Sequence, residues 1–499
     1  MSNTVFTPKP PAPAGRRELA LAVVLLAGCL LAANGLYWGG LNLGLALALM
    51  IIIGATGLYV LTKTAWRPYA ILCLAAAMVM SAALAYSDGG KFWLVFPIAV
   101  SDLAGLGSAA YPRQGELQGA FHAWCLPYGY IGPAFHGLLL RQTPQGPERR
   151  KLGGVLLGLA LAAPALLIIL PLLIRADAAF AGLIQAVAPV NSGGIIPLAL
   201  GFLLFLPAYA RALCLTAENP PAAAKPARSA NPTPLNTFLF AVSLVYGVYL
   251  LSQLAYLFSA FQGILPQGYT PAEYARRGFF EMAALCAINL GLAAVCIRLA
   301  GQPIRRLTKG LCLFILGFSL VLVACAGAKM GMYVAAYGLT RLRVLTALFM
   351  LCTAVALVCA GVRLLRPGFR YLRIIVLAAV AVSCLAGWMD VDAQVANYNV
   401  SAYLSGRLET VDVAYLAALS DGAVPHLCRL IDCPDPEVQQ ETRQALAEKI
   451  AGRFTLAGLT ATPQATTLWA WNYAQARATV QLQALVAQLQ PELSTLTSQ

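Results

Sequence analysis

This 499-residue chain has little charge: only 11% of its residues are Asp, Glu, Lys or Arg. A soluble chain carries about 25%, so a water-exposed globular surface over most of this length is excluded. Histidine is scarcer still, with three residues, His122, His136 and His426, too few and too scattered for a histidine-based metal site. No phosphate-binding glycine loop, zinc box, Gly-x-Ser-x-Gly elbow or kinase signature occurs. Nothing therefore points to a cofactor, a metal or a soluble-enzyme reaction.

What is present is apolar sequence. The chain is 60% hydrophobic, with a mean hydropathy of +0.72. Runs of about 20 apolar residues recur, the length of helix that crosses a hydrocarbon core. The expected spans are 19–38, 42–61, 68–87, 92–111, 152–174, 194–213, 236–262, 277–299, 309–328, 342–365 and 371–389. The fold class is all-α, a polytopic helical membrane protein of about eleven spans. Residues 1–18 are a Pro-rich, disordered N-terminus. Residues 112–151 form the longest loop, and 214–235 contain a Pro/Ala-rich linker that separates six spans from five. Residues 390–499 form a small helical domain.

Charge is divided unevenly. Through residue 389 the chain holds 28 basic and 9 acidic residues; from 390 onward it holds 6 and 11. Counted on alternate connections, the basic residues divide 21 to 7. The positive-inside rule then puts the N-terminus in the cytoplasm, and eleven spans put residues 390–499 outside, at a bacterial inner membrane. The basic excess suits anionic headgroups and not nucleic acid. "LAGC", Leu26 to Cys29, matches a lipoprotein cleavage box, but the apolar run continues beyond it, which favours a signal-anchor helix.

Ten of the 13 cysteines fall in apolar runs, where they act as small hydrophobes. Cys428 and Cys433 in the tail are a possible disulfide. The tail reads as a helix–turn–helix over "DGAVPHLCRLI" and "DCPDPEVQQETRQALAEKIA", similar to one HEAT-type repeat. One repeat cannot bury both faces, so flanking helices around 411–419 and 467–489 have to complete it.

Candidate sites are polar residues near or in the spans. Asp102 falls near the middle of the fourth run, with Ser101, Gly105 and Ser108 beside it. It reads either as a buried functional carboxylate or as the cap of a span that ends early. Arg277 and Glu281 are four apart at the start of the eighth span, within reach of an intrahelical pair. Lys329, Arg341 and Arg343 gather at the outer ends of spans nine and ten. Glu273 and Glu281 are their expected partners, either to fix helix depth or to form an anion or headgroup site. In "AYGLTRLR", Gly338 ends one helix and Thr340 caps the next.

Three blocks, "YTPAEYARRGFFEM" (269–282), "MYVAAYGLTRLRVLTALFM" (332–350) and "MDVDAQVANYNVSAYLSG" (389–406), resemble a family of bacterial multi-pass membrane proteins of the DUF4173/DUF4153 type, a domain of unknown function. The resemblance is loose over residues 90–430 and close in the three blocks. It implies a membrane bundle followed by a helical tail, and brings no reaction, substrate or catalytic residue. The first spans and the linker fall outside the resemblance. Together these readings favour a non-enzymatic envelope protein. It would serve signalling, assembly or regulation by presenting residues 390–499 to a protein partner. The alternative is a transporter or lipid- or anion-handling protein using Asp102 and the Glu281/Arg341/Arg343 cluster.

Overall fold

The computed structural model describes residues 16–37, 42–64, 66–86, 91–112, 116–125, 209–214, 232–262, 279–299, 304–457, 460–463, 468 and 471–497. The protein is almost wholly helical. It divides into two compact units, Met1–Ala223 with Gln464–Arg477, and Ala224–Pro463 with Ala478–Gln499.

In the first unit, α1 (Arg16–Tyr37), α2 (Leu43–Lys63), α3 (Pro68–Ala82), α4 (Val95–Ala110) and α5 (Glu116–Cys125) each pack against the next. Asn42 caps α2 by accepting from the Leu45 N–H at 2.9 Å, and Pro68 opens α3 at a position where its missing N–H is harmless. Gly107 and Gly119 bring the backbones of α4 and α5 together. A Cβ on Gly107 would stand 2.5 Å from the Gly119 carbonyl. Ser101 donates to the Cys73 carbonyl at 2.7 Å and ties α4 to α3. Residues 471–474 return to this unit. The Leu43 N–H donates to the Trp471 carbonyl at 2.9 Å, and the Ala474 N–H donates to the Tyr86 carbonyl at 3.1 Å. The Asn472 amide donates to the Leu84 carbonyl at 3.3 Å, and Tyr473 stacks on Tyr86. The start of α2 and the end of α3 are thus covered by the same stretch of tail.

In the second unit, α6 (Pro232–Gln262), α7 (Phe279–Leu299), α8 (Arg306–Tyr337) and α9 (Arg341–Leu365) share an apolar core that includes Leu239, Ile315, Leu316 and Leu357, and α10 (Tyr371–Trp388) packs on α9. A polar chain crosses it. Tyr246 donates to Asn289 at 3.0 Å, and the Asn289 amide donates to Ser319 at 2.9 Å, with Asn289 and Ser319 fully buried. Such bonds between helices are worth about 0.6–2 kcal/mol in a bilayer. Among the described residues, five helices are long and apolar enough to cross a membrane: Leu43–Lys63, Pro68–Ala85, Arg306–Tyr337, Arg341–Leu365 and Tyr371–Trp388. Val95–Ala110, Leu235–Leu251 and Met282–Ile297 are shorter apolar stretches. The expected span 152–174 and residues 194–208 of the expected span 194–213 lie outside the described residues, as does most of the 112–151 loop.

The ninth expected span, 309–328, is one part of the 32-residue α8. At 1.5 Å per residue this helix is about 48 Å long, against a hydrocarbon core of about 30 Å. The helix is therefore longer than the apolar slab, and its last two turns carry Tyr333 and Tyr337.

The tail follows α10 almost without a linker. Asp390, in the left-handed region at φ 47°, turns the chain and caps α11 (Val391–Leu404) by accepting from the Ala393 N–H at 3.3 Å. Next come α12 (Val413–Ala418), a composite of 3-10 turns and α13 (Val424–Leu427) over residues 421–430, and α14 (Pro436–Arg453). A hairpin then pairs β1 (Phe454–Ala457) with β2 (Thr460–Pro463), antiparallel, Phe454 opposite Pro463. α15 (Tyr473–Leu485) and α16 (Gln490–Thr497) finish the chain. The core of the tail joins Val395 and Val400 of α11 to Leu416, Leu427, Leu446 and Ile450. Where the first helix of the expected pair falls, the chain forms 3-10 turns around the four-residue α13; α14 occupies the place of the second, and α11 packs with them. The hairpin was not foreseen.

Candidate functional site

The residues of "AYGLTRLR" form a corner between α8 and α9, and the tail closes on it. Gly338 terminates α8 at φ 74°, its N–H bonded to the Val334 carbonyl at 2.8 Å. Glycine is required there twice over. The left-handed region disfavours a side chain, and a Cβ would stand 2.4 Å from the Asn399 Oδ1. Thr340 caps α9, accepting from the Arg343 N–H at 3.3 Å. Both ends of the corner are as the sequence predicts.

Arg341 is a different matter. Its guanidinium grips the Asp392 carboxylate with two nitrogens, Nε to Oδ1 at 2.7 Å and Nη2 to Oδ2. The Asp392 side chain is 1% exposed and that of Arg341 33%. Asp392 also accepts from the Ser420 N–H at 3.0 Å. Burial pushes the Asp392 carboxyl upward, but the Arg341 and Ser420 hydrogen bonds outweigh it and hold it below its ordinary value. Sequence spacing points Arg341 at Glu273 and Glu281; the carboxylate found on it among the described residues is Asp392, a residue of the tail. α11 begins one residue before Asp392, which brings this carboxylate to the corner. Glu273 and Arg277 lie outside the described residues, and Glu281 is described only as the third residue of α7.

Asn399 supplies the second hold. Its Oδ1 accepts from the Leu339 N–H at 2.7 Å, and its Nδ2 donates to the Leu339 carbonyl at 2.8 Å. One side-chain amide thus satisfies both backbone groups of a residue that neither helix can pair. Tyr415 of α12 provides a third hold, its hydroxyl accepting from the Arg341 N–H at 2.9 Å. Leu339 and Val344 pack against the core of the tail. Asp421, on the next tail turn, pairs with Arg453 of α14. Gly422 lies so close to Asp390 that a Cβ would meet its Oδ2 at 2.2 Å.

Arg343 turns the other way. It lies over the Tyr333 ring, 3.7 Å from the centroid, and donates to the Tyr337 carbonyl at 3.2 Å and to the Gly338 carbonyl. A cation on the last carbonyls of a helix is favourable, so Arg343 closes α8. Lys329 stands nine residues before Gly338, about 13 Å along the helix, beside Cys325. It is not part of the corner.

Asp102 lies in the middle of α4, which continues to Ala110. It therefore does not stand at the end of that helix. Its Oδ1 is buried without a hydrogen-bond partner among the described residues. Cys428 and Cys433 carry free thiols, so the disulfide is not formed in the structure. Burial raises the Cys428 thiol to about 11. Sequence reasoning missed Asp392 and the side-chain role of Asn399. The signal available was their place in the 389–406 block, directly after the last span.

No curated protein and no solved structure matches this chain. A family match covers residues 20–430. It takes in the corner and its tail contacts, and it also includes the first spans, which the sequence resemblance left out. It stops at the end of the composite helical segment, short of α14. On this match, the chain belongs to the family described as "Domain of unknown function (DUF4153)".

Proposed function

We propose that the protein is a non-enzymatic envelope component whose membrane helices hold the 390–499 domain at a fixed attitude for a protein partner, in signalling, assembly or regulation. The buried Arg341–Asp392 pair carries this reading. A carboxylate 1% exposed and held by an arginine of the neighbouring helix start is costly to separate. Any displacement of the α8/α9 corner must therefore move α11, break the pair or break the Asn399 bonds. The charge bias supports a cytoplasmic N-terminus and an extracytoplasmic tail at a bacterial inner membrane. The test is complementation of a deletion strain. A protein lacking 407–499 inserts at normal abundance and does not complement; full complementation by it overturns the proposal. A reporter fused at Gln499 that reads cytoplasmic overturns the orientation.

A second reading, a transporter or lipid-handling protein, draws on Asp102. A buried carboxylate oxygen with no partner among the described residues is the kind of group that carries a proton or cation. The Asp102→Asn variant separates the two readings, because it abolishes a carrier's activity and leaves display of the tail intact. The Glu281/Arg341/Arg343 part of this reading is weakened, since both arginines are engaged within the protein.

A further inference from the structure

Resting on the display reading, we propose that the groove between α12 and α14 is the surface of the tail that receives the partner, and that the occupant is a basic amphipathic helix of another protein. The groove has a volume of about 580 Å³. Its floor is made of small side chains: Ala414, Ala417 and Ala418 recur at one-turn spacing on α12, and Ala445 faces them from α14. Short side chains on two neighbouring helices leave a trough in which a third helix seats its apolar face, read as anchors at i, i+3 or i+4 and i+7.

The rim selects the sign of the partner. Glu441 and Glu448 both border the groove and both are exposed. They are seven residues apart on α14, two turns along one edge and about 10 Å of rise. Neither has a Lys or Arg three or four residues away, so no helical neighbour neutralises it. Lys449 also borders the groove and keeps its charge while its ammonium donates to the Leu419 carbonyl at 3.4 Å, so the lining carries one net negative charge. Two arginines of the tail are engaged elsewhere, Arg443 with Glu492 and Arg453 with Asp421. Residues 390–499 as a whole hold 11 acidic and 6 basic residues. A partner with lysines or arginines two turns apart along the edge of an Ala- or Leu-rich face satisfies both glutamates and fills the floor. Anionic headgroups, in contrast, are repelled by this rim.

The experiment uses the full chain in phosphatidylcholine nanodiscs, which have no anionic lipid to compete. The probes are a labelled 18-residue Lys/Ala/Leu amphipathic peptide and its Glu/Ala/Leu counterpart, followed by fluorescence anisotropy. The basic peptide binds and the acidic one does not. The E441K/E448K variant, altered only at exposed positions, weakens binding roughly tenfold or more. So does A414W, which fills the floor from an exposed site. The control E409K/D432K carries the same charge change at exposed positions that do not line the groove and shifts affinity less than about threefold. Absence of binding to the wild type, equal binding of both peptides, equal loss in both double variants, or unchanged binding to A414W each overturns the proposal. In cells, E441K/E448K fails to complement a deletion. If the 407–499 truncation fails to complement while E441K/E448K complements in full, the groove assignment falls and the display reading stands. If the truncation complements, the display reading itself falls.

Discussion

Removing one partner of the Arg341–Asp392 pair is predicted to have unequal consequences, depending on which is removed. Arg341→Met leaves the Asp392 carboxylate, 1% exposed, without its counter-charge and held by the neutral Ser420. An uncompensated buried charge of this kind costs about 3–5 kcal/mol. Asp392→Asn leaves Arg341, whose side chain is 33% exposed and can turn toward water. The cost then is about 1–2 kcal/mol, the value of hydrogen bonds to a charged group less what solvent returns. The double variant R341M/D392L leaves no orphaned charge and recovers most of the loss. Hydrogen exchange of the α11 amides, followed by mass spectrometry on the full chain, reads this directly. Each 1.4 kcal/mol is tenfold in the opening equilibrium. R341M is therefore expected to speed exchange by roughly 10²–10³-fold and D392N by roughly tenfold. Equal effects of the two single changes would refute the argument that burial makes the aspartate the vulnerable member. Additive losses in the double variant would show that the two side chains do not act as a pair.

Because the folded Asp392 carboxyl is held below its ordinary value, its contribution to stability is fully present above about pH 4, the unfolded value. It is lost as pH falls through the lowered one. α11 protection should fall with acid in the wild type and stay flat over that window in D392N. Gly338→Ala places a Cβ 2.4 Å from Asn399 Oδ1 in a left-handed conformation, and should destabilise the corner by about 1–3 kcal/mol. Asn399→Ala strips both partners from Leu339 and should cost about as much per group left unpaired, read by the same exchange measurement on residues 336–344. Cys428 and Cys433 are free, so peptide masses from the tail should be unchanged by reduction. Cys428, with its thiol raised to about 11, should label slowly with maleimide at pH 7. A mass two units lower without reductant would contradict the structure.

The five described helices long and apolar enough to cross a membrane were legible because a bilayer imposes one rule, that backbone polar groups be satisfied within the helix, and about 20 apolar residues answer it. The corner at 338–340 was legible for a local reason: a glycine and a threonine placed two residues apart encode a C-terminal stop and an N-cap. The asymmetry of the two arginines followed from helical geometry. What they touch did not. Asp392 lies 51 residues from Arg341 and Asn399 60 from Leu339, and nothing local in either stretch encodes the meeting. The hairpin of residues 454–463 was hidden in a similar way. "FTLAGLTATP" is too short and too mildly apolar for its alternation to stand out. The sequence alone therefore determined which segments are helical and apolar, where they break, and where charge accumulates, since each of these depends on neighbours along the chain. Which arginine is buried against which carboxylate, and that a glycine must stand at 338 to admit an asparagine from the tail, were decided only by tertiary packing. These contacts depend on how α11 leaves α10, a geometry set at the left-handed residue Asp390 between them.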